Sequence, residues 1–143
     1  MSQKVLITGA AGQLGNELIR TAPAHYDCLA ATRDQLDVTD AGQVSLFFEK
    51  QRPELVINAA AYTAVDLAES EPEQASLINA DAAGYLAVAC AENNARLLHV
   101  STDFVFDGTA SSPYAPDAST SPLGEYGRSK LAGERAVADA LPT

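Results

Sequence analysis

Apolar positions along the 143-residue chain fall into two kinds of pattern. Short, nearly unbroken runs read as buried strands: Val5 to Ile7, Cys28 to Thr32, Leu55 to Ala61 with its small residues last, and Arg96 to Val100. Leu36-Asp37-Val38 alternates and predicts one more short strand, third in chain order. Between these, apolar residues recur at helical spacing. Leu14, Leu18 and Ile19 mark a helix over 13–22, ended by Pro23. Val44, Phe47 and Phe48 mark one over 41–51, capped by Thr39 or Asp40 and stopped by Pro53. Ala75, Leu77, Ile78, Ala82, Leu86, Ala89 and Cys90 mark a long one over 73–94, with Pro72 at its start and Asn93-Asn94 at its end. A last helix is predicted from about Glu125 to Ala140. This alternation predicts an α/β fold with a doubly wound parallel sheet of five strands in the order 3-2-1-4-5. The stretch 104–123 has no period and is long for a loop in a compact domain, which points to a functional loop.

Chemistry enters at the first turn. The first strand breaks into Gly9, Gly12 and Gly15, spaced Gly-x-x-Gly-x-x-Gly, and then into a helix. Such a turn sets backbone N–H groups and a helix N-terminus against a pyrophosphate. Gly9 allows the sharp turn, Gly12 a close approach of phosphate, and Gly15 close packing of helix on strand. A tight turn with no ligand is the alternative. The second strand ends in Thr32-Arg33-Asp34, where a dinucleotide site reads the adenosine ribose. Arg33 facing a 2′-phosphate gives NADP preference; Arg33 as a surface cation, with Asp34 on the ribose, gives NAD. Both readings stay open, as they do for Asp37, placed under an adenine or stabilising a turn. Ala59 to Ala61, after the next strand, form a backbone against which a cofactor can lie.

Tyr126 and Lys130 are four apart on the last helix and share a face. A cation beside a phenol favours the phenolate. Such a tyrosine can give a proton to a carbonyl oxygen as hydride reaches the carbon. Thr102, at the end of the last strand, can hold the same oxygen. Asn79 in the long helix reads as a satisfied core group or a contact to the neighbouring loop, and His99 as a packed core histidine. The acidic run Asp66, Glu69, Glu71 and Glu73 reads as a charged, solvated helix start rather than a metal site.

Composition narrows the classes. A net charge of −10 argues against nucleic acid and anionic membrane as partners. No apolar run approaches a membrane span, and the N-terminus enters a strand without a signal-peptide pattern, so a cytoplasmic location is expected. Cys28 and Cys90 lack metal-type spacing and read as buried free thiols. The length suits one domain, 1–143.

Four stretches carry a family resemblance: Thr8 to Gly15, Asn58 to Asp66, Ser101 to Gly108 and Pro122 to Glu134. They resemble the extended short-chain dehydrogenase/reductases and, within these, the dTDP-4-dehydrorhamnose reductases. The second and third stretches are specific to that narrower group and its near relatives. The resemblance implies an NAD(P)-binding Rossmann fold and a nucleotide-sugar substrate. The implied reaction reduces the 4-keto group of dTDP-4-dehydro-L-rhamnose, with NADPH, or else NADH, as hydride donor. Thr102, Tyr126 and Lys130 match the catalytic positions. Gly9, Gly12, Gln13, Leu14, Gly15, Arg33, Asp37, Val38, Ala59, Ala60, Ala61, Tyr62 and Asn79, with Tyr126 and Lys130, match the cofactor side. Val65, Thr102, Asp103, Phe104, Val105 and Tyr126 match the sugar side. No metal is implied, and a homodimer is left open.

Members of that group continue into further strands and a smaller domain that holds the nucleotide sugar. The chain is therefore expected to be the cofactor-binding half, with the Rossmann fold incomplete at its C-terminal side and little or no turnover by itself. Its last strand would be an exposed apolar edge. Two other readings are an epimerase or dehydratase of the superfamily, which Thr102-Asp103-Phe104 disfavours, and an NADP-binding regulatory subunit without turnover.

Overall fold

The computed structural model describes residues 2–141. Four strands, β1 (Gln3–Thr8), β2 (Tyr26–Ala31), β3 (Leu55–Asn58) and β4 (Arg96–His99), form one parallel sheet in the order β2-β1-β3-β4. Six α-helices are described: α1 (Gln13–Thr21), α2 (Ala41–Gln51), α3 (Val65–Ala68), α4 (Pro72–Ser76), α5 (Ala82–Glu92) and α6 (Glu125–Ala140). None is long and apolar enough to cross a membrane.

The α/β fold with a doubly wound parallel sheet is as expected, but the strand count is not. Leu36-Asp37-Val38 forms no ladder. Gln35 and Leu36 both donate their N–H groups to the Thr32 carbonyl, and Asp37 Oδ1 accepts from Thr39 N and Oγ1, so the segment is a turn. Its alternation has a packing cause instead. Leu36 is buried, and Val38 packs on the same core from a loop. β2 is thus the sheet's edge, and the expected order 3-2-1-4-5 becomes four strands.

The predicted helix over 73–94 begins one residue earlier and is interrupted. Leu77–Asp81 forms a single π-turn between α4 and α5. Asp40, not Thr39, caps α2, its carboxylate accepting from Gln43 N. The long loop is less irregular than expected. It opens with a 3₁₀ turn at Asp103–Val105, Phe106 stacks on Tyr114 at 4.4 Å, and Asp107 accepts from Tyr114 and Thr109.

The sheet's two faces differ. Leu29, Leu6, Val56 and Leu97 lie in one row across the strands. Against that row pack Val44 and Phe48 of α2 and Leu86, Ala89 and Cys90 of α5. Cys90 is buried as expected, and desolvation pushes its thiol up to about 12; Cys28 is only half-buried. On the other face α1 covers Val5 and Ile7, but Leu98 of β4 stays 52% exposed.

Three strand ends are joined by side chains. Thr8 Oγ1 donates to Asn58 Oδ1 at 2.7 Å, and Asn58 Nδ2 lies 3.1 Å from His99 Nδ1. Because Asn58 Oδ1 also accepts from Ala60 N, its amide is the donor to His99. The ring proton then sits on Nε2, which is buried with no partner among the described residues. Burial first, and the Lys130 ammonium second, lower the His99 pKa to about 4.

Gly9 and Gly108 share a backbone conformation but not a setting. Gly9 has φ +64°, and a Cβ there would lie 2.7 Å from Ala60 N; Gly108 has φ +73° and open space around it. Gly108→Ala should therefore cost only the left-handed strain, about 1 kcal/mol, and Gly9→Ala more, through collision with fixed backbone. Urea unfolding of both variants checks this, and equal losses would refute it. His99 is neutral in the fold and titrates at 6.5 when unfolded. Protonation between pH 6.5 and about 4 thus favours the unfolded chain. Stability should be unaffected by His99 above that window and fall through it, by on the order of 3 kcal/mol at full extent. The lowered carboxylates of Asp37, Asp40 and Asp107 stabilise the fold above about pH 3.8, and that contribution is lost only as pH falls below it, outside this window. Unfolding free energies at pH 7.5 and 5 should differ in the wild type and converge in His99→Gln.

Candidate active site

The carboxyl ends of the strands open into two cavities. The first, about 280 Å³, lies over the glycine turn. Gly12 N donates back to Gly9 O at 2.9 Å, and Gly12 caps α1 with no side-chain partner and no acid in the first turn. A helix start left open in this way favours an anion. The turn lies against Ala59–Ala60, so the loop after β3 forms the opposite wall. Of the residues expected on the cofactor side, Gly9, Gly12, Arg33, Asp37, Val38 and Ala59 to Ala61 line this cavity. Gln13 and Leu14 are exposed at the start of α1, and Gly15 is buried beneath the turn. Asp34 does not line the cavity.

Asp37 stabilises the turn before α2, one of the two roles considered for it. It lines the cavity, and its hydrogen bonds from Thr39 hold its carboxyl below the ordinary value, helped by the Arg33 charge. Three lining residues were not foreseen: Leu36, Thr39 and Ile78. Ile78 sits in the π-turn, where a helical wheel assigns the wrong face.

The second cavity, about 310 Å³, opens beside the first turn of α6. Val65, Asp103, Phe104 and Tyr126 line it, with Phe106 and Leu123 from the long loop. Tyr126 meets Phe104 edge to face at 5.5 Å. Val105, expected on the sugar side, is instead buried and outside the lining. Thr102 also lies outside it. Its hydroxyl accepts from Phe104 N at 3.2 Å and caps the 3₁₀ turn.

Lys130, one turn beyond Tyr126, is 2% exposed, and its Nζ donates to Val100 O at 2.5 Å. Burial lowers its pKa, and Glu134 partly offsets this. Gly127 lets the helix reach this place, because a Cβ there would run into the Phe104 carbonyl.

Asn79 proves to be both things the sequence allowed. It is 1% exposed, accepts from Tyr62 N at 2.8 Å, and donates to Tyr62 O and to Ser129 Oγ. It ties the loop after β3 to α6; neither it nor Tyr62 lines the first cavity. The acidic run is not wholly a solvated face. Glu69 Oε1 accepts from Glu125 N at 2.7 Å, capping α6 from the turn after α3, and Glu71 accepts from the Tyr62 hydroxyl at 2.7 Å. Burial and Glu71 raise the Tyr62 phenol above its usual value. Among the described residues no three His, Cys, Asp or Glu side chains are placed to hold a metal.

Comparison with known proteins agrees with this geometry. The family model described as "RmlD substrate binding domain" matches residues 3–143. The chain is 47% identical over 144 residues to a dTDP-4-dehydrorhamnose reductase of Mycolicibacterium smegmatis, covering 99% of this chain and 43% of that protein. It is 44% identical over 143 residues to a dTDP-4-keto-6-deoxy-D-glucose reductase of Streptomyces niveus, covering 99% and 50%. The crystal structure of the Bacillus anthracis dTDP-4-dehydrorhamnose reductase in complex with NADP superposes with a TM-score of 0.96 at 40% identity, covering 98% of this chain and 50% of that one. The chain thus spans about half the length of the curated relatives it matches. It belongs to the RmlD family, the family of the dTDP-4-dehydrorhamnose reductases, and corresponds to their N-terminal part.

Proposed function

We propose that residues 1–143 form the cofactor-binding domain of an NADPH-dependent, cytoplasmic reductase that converts dTDP-4-dehydro-L-rhamnose to dTDP-L-rhamnose. The observation that carries this reading is the pairing of two cavities at one sheet edge, an anion-favouring one at Arg33 and an apolar one at Tyr126. The relatives named dTDP-4-dehydrorhamnose reductase supply the substrate.

The residues fit a dinucleotide. Gly9, Gly12 and the start of α1 would take the pyrophosphate, Ala59 to Ala61 the flat face, and Arg33 the 2′-phosphate. When bound, the reduced nicotinamide supplies hydride to C4 of the sugar. The Tyr126 phenol, at the wall of the second cavity, gives its proton to the sugar's O4. The buried Lys130 ammonium stabilises the resulting phenolate, and the Thr102 hydroxyl holds the 3₁₀ turn that carries Phe104 into the cavity wall. Phe104, Phe106 and Leu123 give this side of the site an apolar surface.

The purified chain should bind NADPH, and Arg33→Ala should weaken that binding about tenfold, the equivalent of roughly 1.4 kcal/mol, with NADH binding unchanged. Fluorescence titration of both nucleotides reads this; equal loss for the two would assign Arg33 no part in the preference. With dTDP-4-dehydrorhamnose added, loss of reduced-nicotinamide absorbance measures turnover. Tyr126→Phe should remove whatever turnover the chain supports while the folded chain still binds NADPH. Turnover that survives this change would exclude the proton-donor role.

A further inference from the structure

Glu134 lies one turn beyond Lys130 on α6 and is not among the site residues named so far. It is half-buried, and its carboxylate accepts the hydroxyl proton of Ser101. Ser101 stands between two residues that matter to the site. Before it is Val100, whose carbonyl takes the Lys130 ammonium, and after it is Thr102, whose hydroxyl caps the turn bearing Phe104. Helix α6 therefore clasps the exit of β4 twice, with a cation on a backbone carbonyl and an anion on a side-chain hydroxyl. The groups that bear electrically on Lys130 are Glu134 from its own helix and His99 from β4. His99, with its pKa lowered to about 4 in the fold, is neutral at neutral pH, which leaves Glu134 as the counter-charge. A buried ammonium with only a carbonyl partner is costly, and a carboxylate one turn away offsets part of that cost.

We propose that Glu134 is a positioning residue for the reduction: through Ser101 it holds Val100–Thr102 against α6, and its carboxylate, one helical turn from Lys130, serves the buried ammonium as counter-charge. The two roles separate in different variants. Glu134→Gln keeps a carbonyl oxygen for Ser101 but removes the charge. Ser101→Ala removes the clasp and keeps the charge. This inference rests on the proposed reductase function, but its test does not need turnover.

Lysine side chains labelled with nitrogen-15 can be followed through a pH titration by NMR. Lys4, Lys50 and Lys130 are the lysines, so the Lys130 signal can be assigned with Lys4→Arg and Lys50→Arg. Glu134→Gln should move the Lys130 midpoint to lower pH, whereas Ser101→Ala should leave it in place. Amide hydrogen exchange at Phe104, whose N–H is held by Thr102, should quicken about tenfold in Ser101→Ala, equivalent to roughly 1.4 kcal/mol of local opening, and stay near wild type in Glu134→Gln. Glu134→Asp, which restores the charge, should return the midpoint toward wild type. An unmoved midpoint in folded Glu134→Gln overturns the electrostatic role, and unchanged exchange in Ser101→Ala overturns the clasp. Failure of the wild-type chain to bind NADPH would instead count against the proposed function, leaving these two comparisons to decide Glu134.

Discussion

Thr8, Asn58 and His99 share one level at the carboxyl edge of the sheet, and their hydrogen bonds tie β1, β3 and β4 together there. Register in a parallel sheet is otherwise set by apolar rows, which tolerate a slip of two residues better than a buried polar row does. Thr8 and Asn58 are both within 2% of full burial, so a slipped strand would strand an amide and a hydroxyl without partners. Fixing that level also places the segment that leaves each strand. The glycine turn comes directly after Thr8, the alanine wall directly after Asn58, and the Val100–Thr102 segment directly after His99. Both cavities inherit their walls from this one constraint.

The remaining wall is α6, held by contacts from every direction. Glu69 caps its first turn, Asn79 binds Ser129 in its second, and Lys130 reaches the strand exit. Gly127 and Gly133 remove the side chains that would hold it off the Phe104 and Asn79 carbonyls. Tyr126 is thus presented by a helix whose position is over-determined, the condition for a side chain to keep its aim without a ligand. Helix α6 makes more of its contacts through polar atoms than α5 does, whose buried face is Ala, Leu and Cys. Where α5 needs only to fill space, α6 must point.

Much of this was legible in the sequence, and the omissions have definite causes. The glycine turn was legible because its geometry needs glycine at fixed places, and Gly9 does adopt positive φ. Arg33 and Ala59 to Ala61 were legible because they come soon after strands, and with Asp37, read as part of a strand that does not form, they meet around one cavity. The false third strand had a sound apolar pattern, but pattern reports burial, and Leu36 is buried without a ladder. The π-turn left no mark, because one additional residue in a turn does not disturb an alanine-rich helical run. The Glu69 cap joins residues 56 positions apart, a separation at which no local signal exists.

That π-turn bears on what helical content can report. An additional residue in one turn rotates the helix before it by about 100° relative to the helix after it. Ile78 and Asn79 therefore face a cavity and a loop, while Leu86 and Cys90 of the same rod face the sheet. Loss of one residue between 77 and 81 would restore an ordinary helix, with every backbone bond made and the α5 core face intact. The Asn79 amide would then point away from Tyr62 and Ser129. At this place the chain encodes its architecture and its site in separate instructions, so a protein with native circular dichroism could still have lost the join between its two walls.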